Sequence, residues 1–149
     1  MDERITRDIS RYSWLLIGRA RHLMLEARQK ELAPYNISPR QAYVVDILYN
    51  LGRKATLAEL AKHVDREVNT LSQQMTRMES DGLVTKTQET PKSRLLKFEL
   101  TEKGVTAYEN SLKRQSIKKI MSVLSEEEKK TLIGMMQKVV AAAEHYQVE

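Results

Sequence analysis

The chain has 149 residues, no cysteine and a formal net charge of +5. This length predicts one domain, or one small domain with appended helices, and the lack of cysteine excludes disulfides and thiolate metal sites within the chain. No apolar run approaches the ~20 residues of a membrane span, and the N-terminus lacks the apolar core of a signal peptide. We therefore expect a soluble, cytoplasmic protein whose basic balance favours an anionic partner.

The N-terminal segment predicts one long helix over about residues 4–33. Ile9, Tyr12 and Leu16 recur there at helical spacing, and Pro34 limits it. A helix of roughly 28 residues is ~42 Å long at 1.5 Å per residue. Because this exceeds the width of a small domain, part of the helix needs partners beyond its own core.

Three helix starts are marked by a Ser or Thr with Gln or Glu three positions later, the pattern of a capping box. The pairs are Ser38 with Gln41, Thr56 with Glu59, and Ser125 with Glu128. Together with apolar periodicity they predict helices over about residues 39–50, 57–64, 67–81 and 126–146. Gly82 follows the third of these, where helices often end in a left-handed residue.

Two short apolar runs, 83–87 and 95–100, flank a polar segment and predict a β-hairpin. Leu96, Phe98 and Leu100 alternate with other residues, which is typical of a half-buried strand. A further helix is expected over about residues 105–123.

The predicted order is four helices, two strands and two helices. This fold class is mainly α with a small β-hairpin, a winged helix-turn-helix with long N- and C-terminal dimerisation helices. We expect the winged helix-turn-helix to span residues 35–104, and the dimerisation helices to span residues 1–34 and 105–149.

The helix predicted over residues 67–81 has two different faces. At 100° per residue, its apolar residues fall within an arc of about 80° that predicts a core face; they are Val68, Leu71, Met75 and Met78. The other side offers amides, hydroxyls and a guanidinium rather than Lys–Glu pairs; we expect DNA contacts from Asn69, Thr70, Ser72, Gln73, Thr76 and Arg77. Such groups can read base edges in the major groove, as the second helix of a helix-turn-helix does.

The hairpin adds positive charge beside that helix. Candidate contacts to phosphates or the minor groove are Arg40, Lys86, Lys92, Ser93 and Arg94. Taken alone, the polar side of the helix could equally be an ordinary surface without a target. Taken alone, the hairpin tip could be an ordinary solvated turn. Their occurrence together favours a nucleic-acid reader.

Residues 57–104 resemble the winged-helix segment of the MarR family of bacterial transcription regulators. The matching positions are Leu60-Ala61, Thr70, Glu79, Gly82-Leu83-Val84 and Leu100-Thr101 with Gly104. Three positions depart from the family pattern: Asp65 stands where glycine is frequent, Gln73 where arginine is usual, and Lys92-Ser93-Arg94 where Asp-x-Arg is frequent. Gln73 favours adenine over guanine, and Arg94 loses the aspartate that commonly orients it.

The terminal helices carry more apolar surface than a monomer needs, which favours a two-fold homodimer; the alternative is that they pack only on each other. The stripes are Ile117, Ile120, Met121 and Leu124, and Leu132, Met135, Met136, Val139 and Val140. The resemblance implies the same dimer, which would place two reading helices roughly 34 Å apart on a near-palindromic operator.

The resemblance also implies a small aromatic or phenolic effector, bound between the dimer helices and the winged domain. Residues that could line such a pocket are Trp14, Arg21, Tyr43, Ile47 and Tyr108. The alternative is that these are ordinary core or interface residues.

The preferred hypothesis is a homodimeric, sequence-specific DNA-binding transcriptional regulator, a repressor relieved by a small ligand. The alternative is a winged-helix protein–protein interaction module without specific DNA binding. We do not expect an enzyme, because the sequence offers no nucleophile with a base and no phosphate-binding glycine loop. It also predicts no metal site and no cofactor, since no two of the three histidines have ligand spacing.

Overall fold

The structure is a computed structural model that describes residues 3–64, 68–88 and 90–148, with the side chains of Ile5, Val68 and Asn69 also outside the description. Its elements are α1 (Glu3–Thr6), α2 (Ile9–Leu32), a 3-10 turn (Ala33–Tyr35), α3 (Pro39–Asn50), β1 (Lys54–Thr56), α4 (Leu57–His63), α5 (Val68–Ser80), β2 (Val84–Thr87), β3 (Lys97–Leu100), α6 (Glu102–Ser111), α7 (Gln115–Met121) and α8 (Glu126–Val148). They form two compact units, Met1–Arg114 and Gln115–Glu149. The prediction of a mainly helical chain with a small antiparallel hairpin is confirmed.

The core of the first unit lies between α3, α4, α5, α6 and the sheet. It is built from side chains that water does not reach, among them Leu32, Val44, Val45, Leu48, Ala55, Leu60, Leu71, Met75, Met78, Leu83, Val84 and Phe98. The reading helix predicted from the sequence therefore rests on its apolar stripe, as expected for Leu71, Met75 and Met78. Val68, the fourth residue of that stripe, has a side chain outside the description.

All three predicted capping boxes are formed. The Ser38 hydroxyl accepts from the Gln41 amide, and the Gln41 side chain accepts from the Ser38 amide, both at 3.1 Å. The reciprocal pairs of Thr56 with Glu59 and of Ser125 with Glu128 are also present. Each box satisfies amides that the first helical turn leaves without a partner, which fixes the starts of α3, α4 and α8.

The sheet has one strand more than predicted. Its order is β1-β3-β2, all antiparallel, with Lys54 opposite Glu99 and Val84 opposite Leu100. β1 has only three residues and lies directly before a capping box, so the sequence shows no alternating pattern for it. Its pairing depends on a partner strand that follows much later in the chain.

The long N-terminal helix predicted over residues 4–33 is interrupted near its start. Asp8 has an extended backbone, and its carboxylate accepts a hydrogen bond from the Arg11 amide at 3.1 Å. Asp8 therefore acts as the N-cap of a separate helix, α2.

The helix predicted over residues 105–123 begins earlier and is divided in two. Thr101 caps α6, so the helix starts at Glu102 and contains Gly104. It ends at Ser111, whose carbonyl oxygen accepts a hydrogen bond from Arg28 at 2.5 Å. The regular i→i+4 pattern has given way there to i→i+3 bonds, since the Lys113 amide donates to the Asn110 carbonyl at 3.4 Å. Arg114 adopts a left-handed backbone with φ 36°, and α7 starts after it.

The junction of α5, the hairpin and α6 needs two glycines. Gly82 has φ 78°, and the amide of Leu83 donates to the carbonyl of Met78, which is the predicted left-handed helix end. Gly104 lies so close to the hairpin that an added Cβ would stand 2.2 Å from the Leu83 carbonyl oxygen. Thr101 completes the joint by donating its hydroxyl proton to the Gly82 carbonyl at 2.6 Å.

The second unit consists of α7 and α8, and none of its described residues is buried within the single chain. Met135 and Val139 lie one turn apart on α8 and are 54% and 50% exposed. An amphipathic helix of this length gains most of its stability from covering its apolar face.

Candidate nucleic-acid interface

Helix α5 presents a polar face directly opposite its buried stripe. Thr70, Ser72, Gln73, Thr76 and Arg77 are all exposed, as predicted. Asn69, the sixth predicted contact, has a side chain outside the description, and Asp65 lies entirely outside the described residues. The Thr76 hydroxyl donates to the Ser72 carbonyl at 3.0 Å, so Thr76 offers a partner mainly its lone pairs. The face thus combines amide, hydroxyl and guanidinium groups that can donate and accept hydrogen bonds.

The N-terminal half of α5 is tied to the start of α3 by a residue that the sequence analysis missed. Gln74 donates from its side-chain nitrogen to the Arg40 carbonyl at 3.2 Å. Its side-chain oxygen is buried and has no hydrogen-bond partner among the described residues. Gln74 belongs to neither the apolar stripe nor the centre of the polar face, so periodicity alone gave no reason to single it out.

The C-terminal end of α5 is fixed by a short polar network. Asp81 accepts a hydrogen bond from the Gln41 side chain at 2.8 Å, and its backbone carbonyl accepts one from Lys103 at 2.7 Å. Gln41 also takes part in the capping box of α3. One side chain therefore contributes both to the start of α3 and to the position of α5, which supports a rigid presentation of the polar face.

The wing is formed by β2, β3 and the loop between them. Lys86 is exposed on β2, and Lys92 and Arg94 are exposed in the loop. Ser93 is half-buried; its amide donates to the Thr90 carbonyl at 3.0 Å, and its hydroxyl accepts from the Leu95 amide at 3.2 Å. The predicted cations are therefore presented to solvent, whereas Ser93 shapes the loop.

The predicted alternation along β3 holds for only part of the run. Phe98 and Leu100 are buried as expected, but Leu96 is exposed. The strand begins at Lys97, which pairs with Thr87, so Leu96 lies beyond the last paired residue and no longer follows the pleat.

A groove of about 1190 Å³ runs between α2, the start of α3 and α5. Arg21, Arg40 and Arg77 line it, and Asp81 is the acidic residue in its lining. Thr70 and Gln73 of the polar face belong to the same walls. Leu25 and Pro39 contribute apolar surface to it, with the buried Val44 and Val64 beneath. The groove therefore combines positive charge with apolar area and shares its walls with the predicted reading surface.

The five residues predicted for an effector pocket are only partly brought together. Arg21 and Tyr43 line the groove, and the Tyr43 hydroxyl donates to the His63 carbonyl at 3.3 Å. Trp14 is exposed on α2, and Ile47 packs against the core. Tyr108 stacks on Tyr49 with ring centroids 3.8 Å apart. These three do not contribute to the groove lining.

Within residues 3–64, 68–88 and 90–148, no group of three or more His, Asp or Glu side chains is placed to hold a metal ion. None of the helices in that part of the chain is both long and apolar enough to cross a membrane.

Residues 37–91 match the family model described as MarR family, and the resemblance predicted from the sequence is confirmed. The chain is similar to the organohalide-sensing RdhR-CbdbA1625 transcriptional regulator in its 2,4-dichlorophenol-bound form, with 27% identity and a TM-score of 0.84 over 93% of this chain and 83% of that one. No curated protein sequence matches the chain.

Two further structures are similar in fold and were determined with DNA. The C80S mutant of MarR from E. coli, in complex with operator DNA, is 21% identical with a TM-score of 0.75, over 83% of this chain and 90% of that one. The S. aureus MepR–DNA complex is 22% identical with a TM-score of 0.75, over 89% of this chain and 97% of that one. The predicted winged-helix architecture is confirmed by these similarities.

Proposed function

From the match of residues 37–91 to the MarR family model, we propose that two copies of the chain form a homodimer that binds a near-palindromic DNA operator and represses transcription. One observation carries this proposal: α5 holds an exposed face of hydrogen-bonding side chains opposite the buried Leu71, Met75 and Met78, beside a wing whose exposed cations are Lys86, Lys92 and Arg94. Amides and hydroxyls read base edges, and cations bind phosphates.

The cations around α5 favour a polyanionic partner. Arg40, Arg77 and the three wing cations are exposed, whereas the carboxylate of Asp81 is engaged by Gln41. A surface of this kind binds DNA by releasing counterions, so affinity falls steeply as salt rises, with a slope of about −0.9 per phosphate contact.

The proposal is tested by selecting bound sequences from random duplex DNA and measuring affinity for the selected site by fluorescence anisotropy at several salt concentrations. We expect a near-palindromic site and a discrimination of about 10³-fold or more against scrambled DNA. Weak binding without sequence preference would instead support the protein–protein interaction module.

The wing is tested separately with Arg94→Ala. Because each subunit of a dimer loses one phosphate contact, the salt slope should become shallower by about 1.8, at little cost in sequence preference. Lys118→Ala removes an exposed lysine of α7 and serves as the charge-matched control, which should leave the slope unchanged. Equal affinity of Arg94→Ala and the parent protein at every salt concentration would contradict the wing contact.

The ligand that relieves repression is proposed to bind in the groove between α2, α3 and α5. Three arginines and several apolar side chains line it, which suits a small anionic or phenolic molecule. RdhR-CbdbA1625 was determined with 2,4-dichlorophenol bound, which makes that compound a reasonable first probe. A ligand there would cover Thr70, Gln73 and Arg77 and compete directly with DNA.

This competition is measured by titrating 2,4-dichlorophenol and benzoate into the protein–operator complex. Apparent DNA affinity should fall as either ligand saturates. Arg21→Ala should weaken that effect without weakening DNA binding, because Arg21 lines the groove but lies outside the reading helix. Should Arg21→Ala respond to ligand like the parent protein, the effector site lies elsewhere.

A further inference from the structure

The wing loop ends in two adjacent leucines that are exposed to solvent. Leu95 is 57% exposed and Leu96 is 43% exposed. They precede the first paired residue of β3, Lys97, and the Leu95 amide is held by the Ser93 hydroxyl. The two other apolar residues of this run, Phe98 and Leu100, are buried. The loop therefore keeps an apolar pair at its surface although the sheet beside it has an apolar core.

The surroundings of this pair are positively charged. Arg94 precedes it, Lys92 lies in the same loop, and both are exposed. A partner that matches both features needs negative charge at its rim and apolar surface between. The DNA minor groove has this form, because phosphates border a cleft about 6 Å wide whose walls are deoxyribose and whose floor is base edges.

We propose that Leu95 and Leu96 form an apolar wedge that enters the minor groove and partly separates a base step, while Lys92 and Arg94 hold the flanking phosphates. This inference rests on the proposed function and adds a source of sequence preference beyond the hydrogen bonds of α5. Apolar side chains inserted in this way unstack bases and bend the duplex. The cost is lower at TA and CA/TG steps than at stiff A-tracts, so the wedge selects deformable steps without hydrogen-bonding to a base.

The wedge has a thermodynamic signature that separates it from the cations. An apolar contact releases no counterions, so its removal lowers affinity equally at all salt concentrations. Loss of a cation instead changes the salt slope. The two kinds of contact in one loop can therefore be distinguished by a single series of titrations.

The experiment measures affinity for the selected operator and DNA bending by end-to-end fluorescence transfer. The double variant Leu95→Ser/Leu96→Ser should bind about 10-fold more weakly, with an unchanged salt slope and a smaller bend. Leu95→Met/Leu96→Met keeps the apolar character and should restore most of both. Thr85→Ala shortens another exposed side chain of the wing, on β2 and outside the predicted contacts, and should change neither.

A measurement on the DNA side needs no variant. The parent protein is titrated with operators that carry either a TA step or an AA step under the wing, and we expect about 5-fold tighter binding to TA. Equal binding to both, or a double-serine variant with parental affinity and bend, overturns the wedge. The wedge is also overturned if the double-serine variant, without DNA, has a different oligomeric mass from the parent protein. The leucines would then form a contact between protein subunits.

These outcomes are separable from failure of the proposed function. If the parent protein shows no sequence preference, the regulator proposal fails. If the parent protein selects an operator but the leucines have no effect on it, only the wedge fails.

Discussion

Helices α5 and α8 treat their apolar residues in opposite ways. Leu71, Met75 and Met78 of α5 are completely buried within the chain, and its outward side is polar. On α8 no described residue is buried, and Met135 and Val139 are about half exposed. The apolar side chains of α5 are therefore satisfied within one chain, and only its polar face is left for the proposed contact with DNA. The apolar face of α8 still needs a partner, which we propose is a second copy of the chain.

The strongest test of this contrast is made on α8. The double variant Met135→Glu/Val139→Glu places two carboxylates on its exposed apolar face, which should prevent dimerisation. Operator affinity should then fall by about 10²–10⁴-fold, because the second reading helix no longer binds as part of the same molecule. Mass by light scattering and affinity by anisotropy measure the two effects.

Gln137→Glu adds a single carboxylate at an exposed polar position of α8 and is the control that should stay dimeric. If the double variant has the same molar mass in solution as the parent protein, the exposed face of α8 does not hold the dimer. The apolar residues of α8 would then need no second copy of the chain.

The next effect concerns the close joint behind α5. Gly104→Ala places a Cβ 2.2 Å from the Leu83 carbonyl oxygen, so backbone must move, at a cost of about 1–3 kcal/mol in the free energy of unfolding. Gly134→Ala on α8 is the matched control, because an added Cβ there meets nothing within 4 Å in the single chain. That change should stabilise the helix by about 0.5–1 kcal/mol.

Urea denaturation of both variants shows whether each change raises or lowers the free energy of unfolding. If Gly104→Ala is as stable as the parent protein, the backbone around Leu83 moves at little cost. If Gly134→Ala is less stable than the parent protein, another subunit packs closely against α8 at this position.

The last effect concerns the specificity of α5 and leaves overall stability unchanged. Gln73→Ala should reduce discrimination between the operator and a site changed at the contacted base by about 1–3 kcal/mol, with the salt slope unchanged. Ser80 lies on the same face about two turns later, so Ser80→Ala tests whether reading is confined to the N-terminal part. Competition titrations with single-base variants measure both, and equal discrimination by Gln73→Ala and the parent protein would remove Gln73 from the reading surface.

The features that sequence reasoning captured are those decided over a few residues. The capping boxes at Ser38, Thr56 and Ser125 involve partners three positions away. The left-handed end at Gly82 and the buried stripe of α5 are likewise properties of one turn or one helix. Local hydrogen bonding and periodicity suffice for these.

The features that sequence reasoning missed depend on residues that are distant in sequence. β1 exists because β3 pairs with it, and α5 is positioned by Gln74 and by the contact of Gln41 with Asp81. The candidate effector residues were chosen for being aromatic or cationic, and only Arg21 and Tyr43 share a groove. No local pattern encodes which distant side chains meet, so these could not be read from one sequence.

The end of α6 has a consequence for how the chain can be divided. Its last carbonyl acceptor is occupied by Arg28, a residue of α2 that precedes it by 83 positions. The end of α6 is therefore anchored to α2 by a residue that lies outside the predicted winged-helix segment. A fragment that begins after α2 would lack the guanidinium, and the Ser111 carbonyl would lose this anchor. We expect the last turn of α6 to fray more in such a fragment, which an excision of the winged helix should take into account.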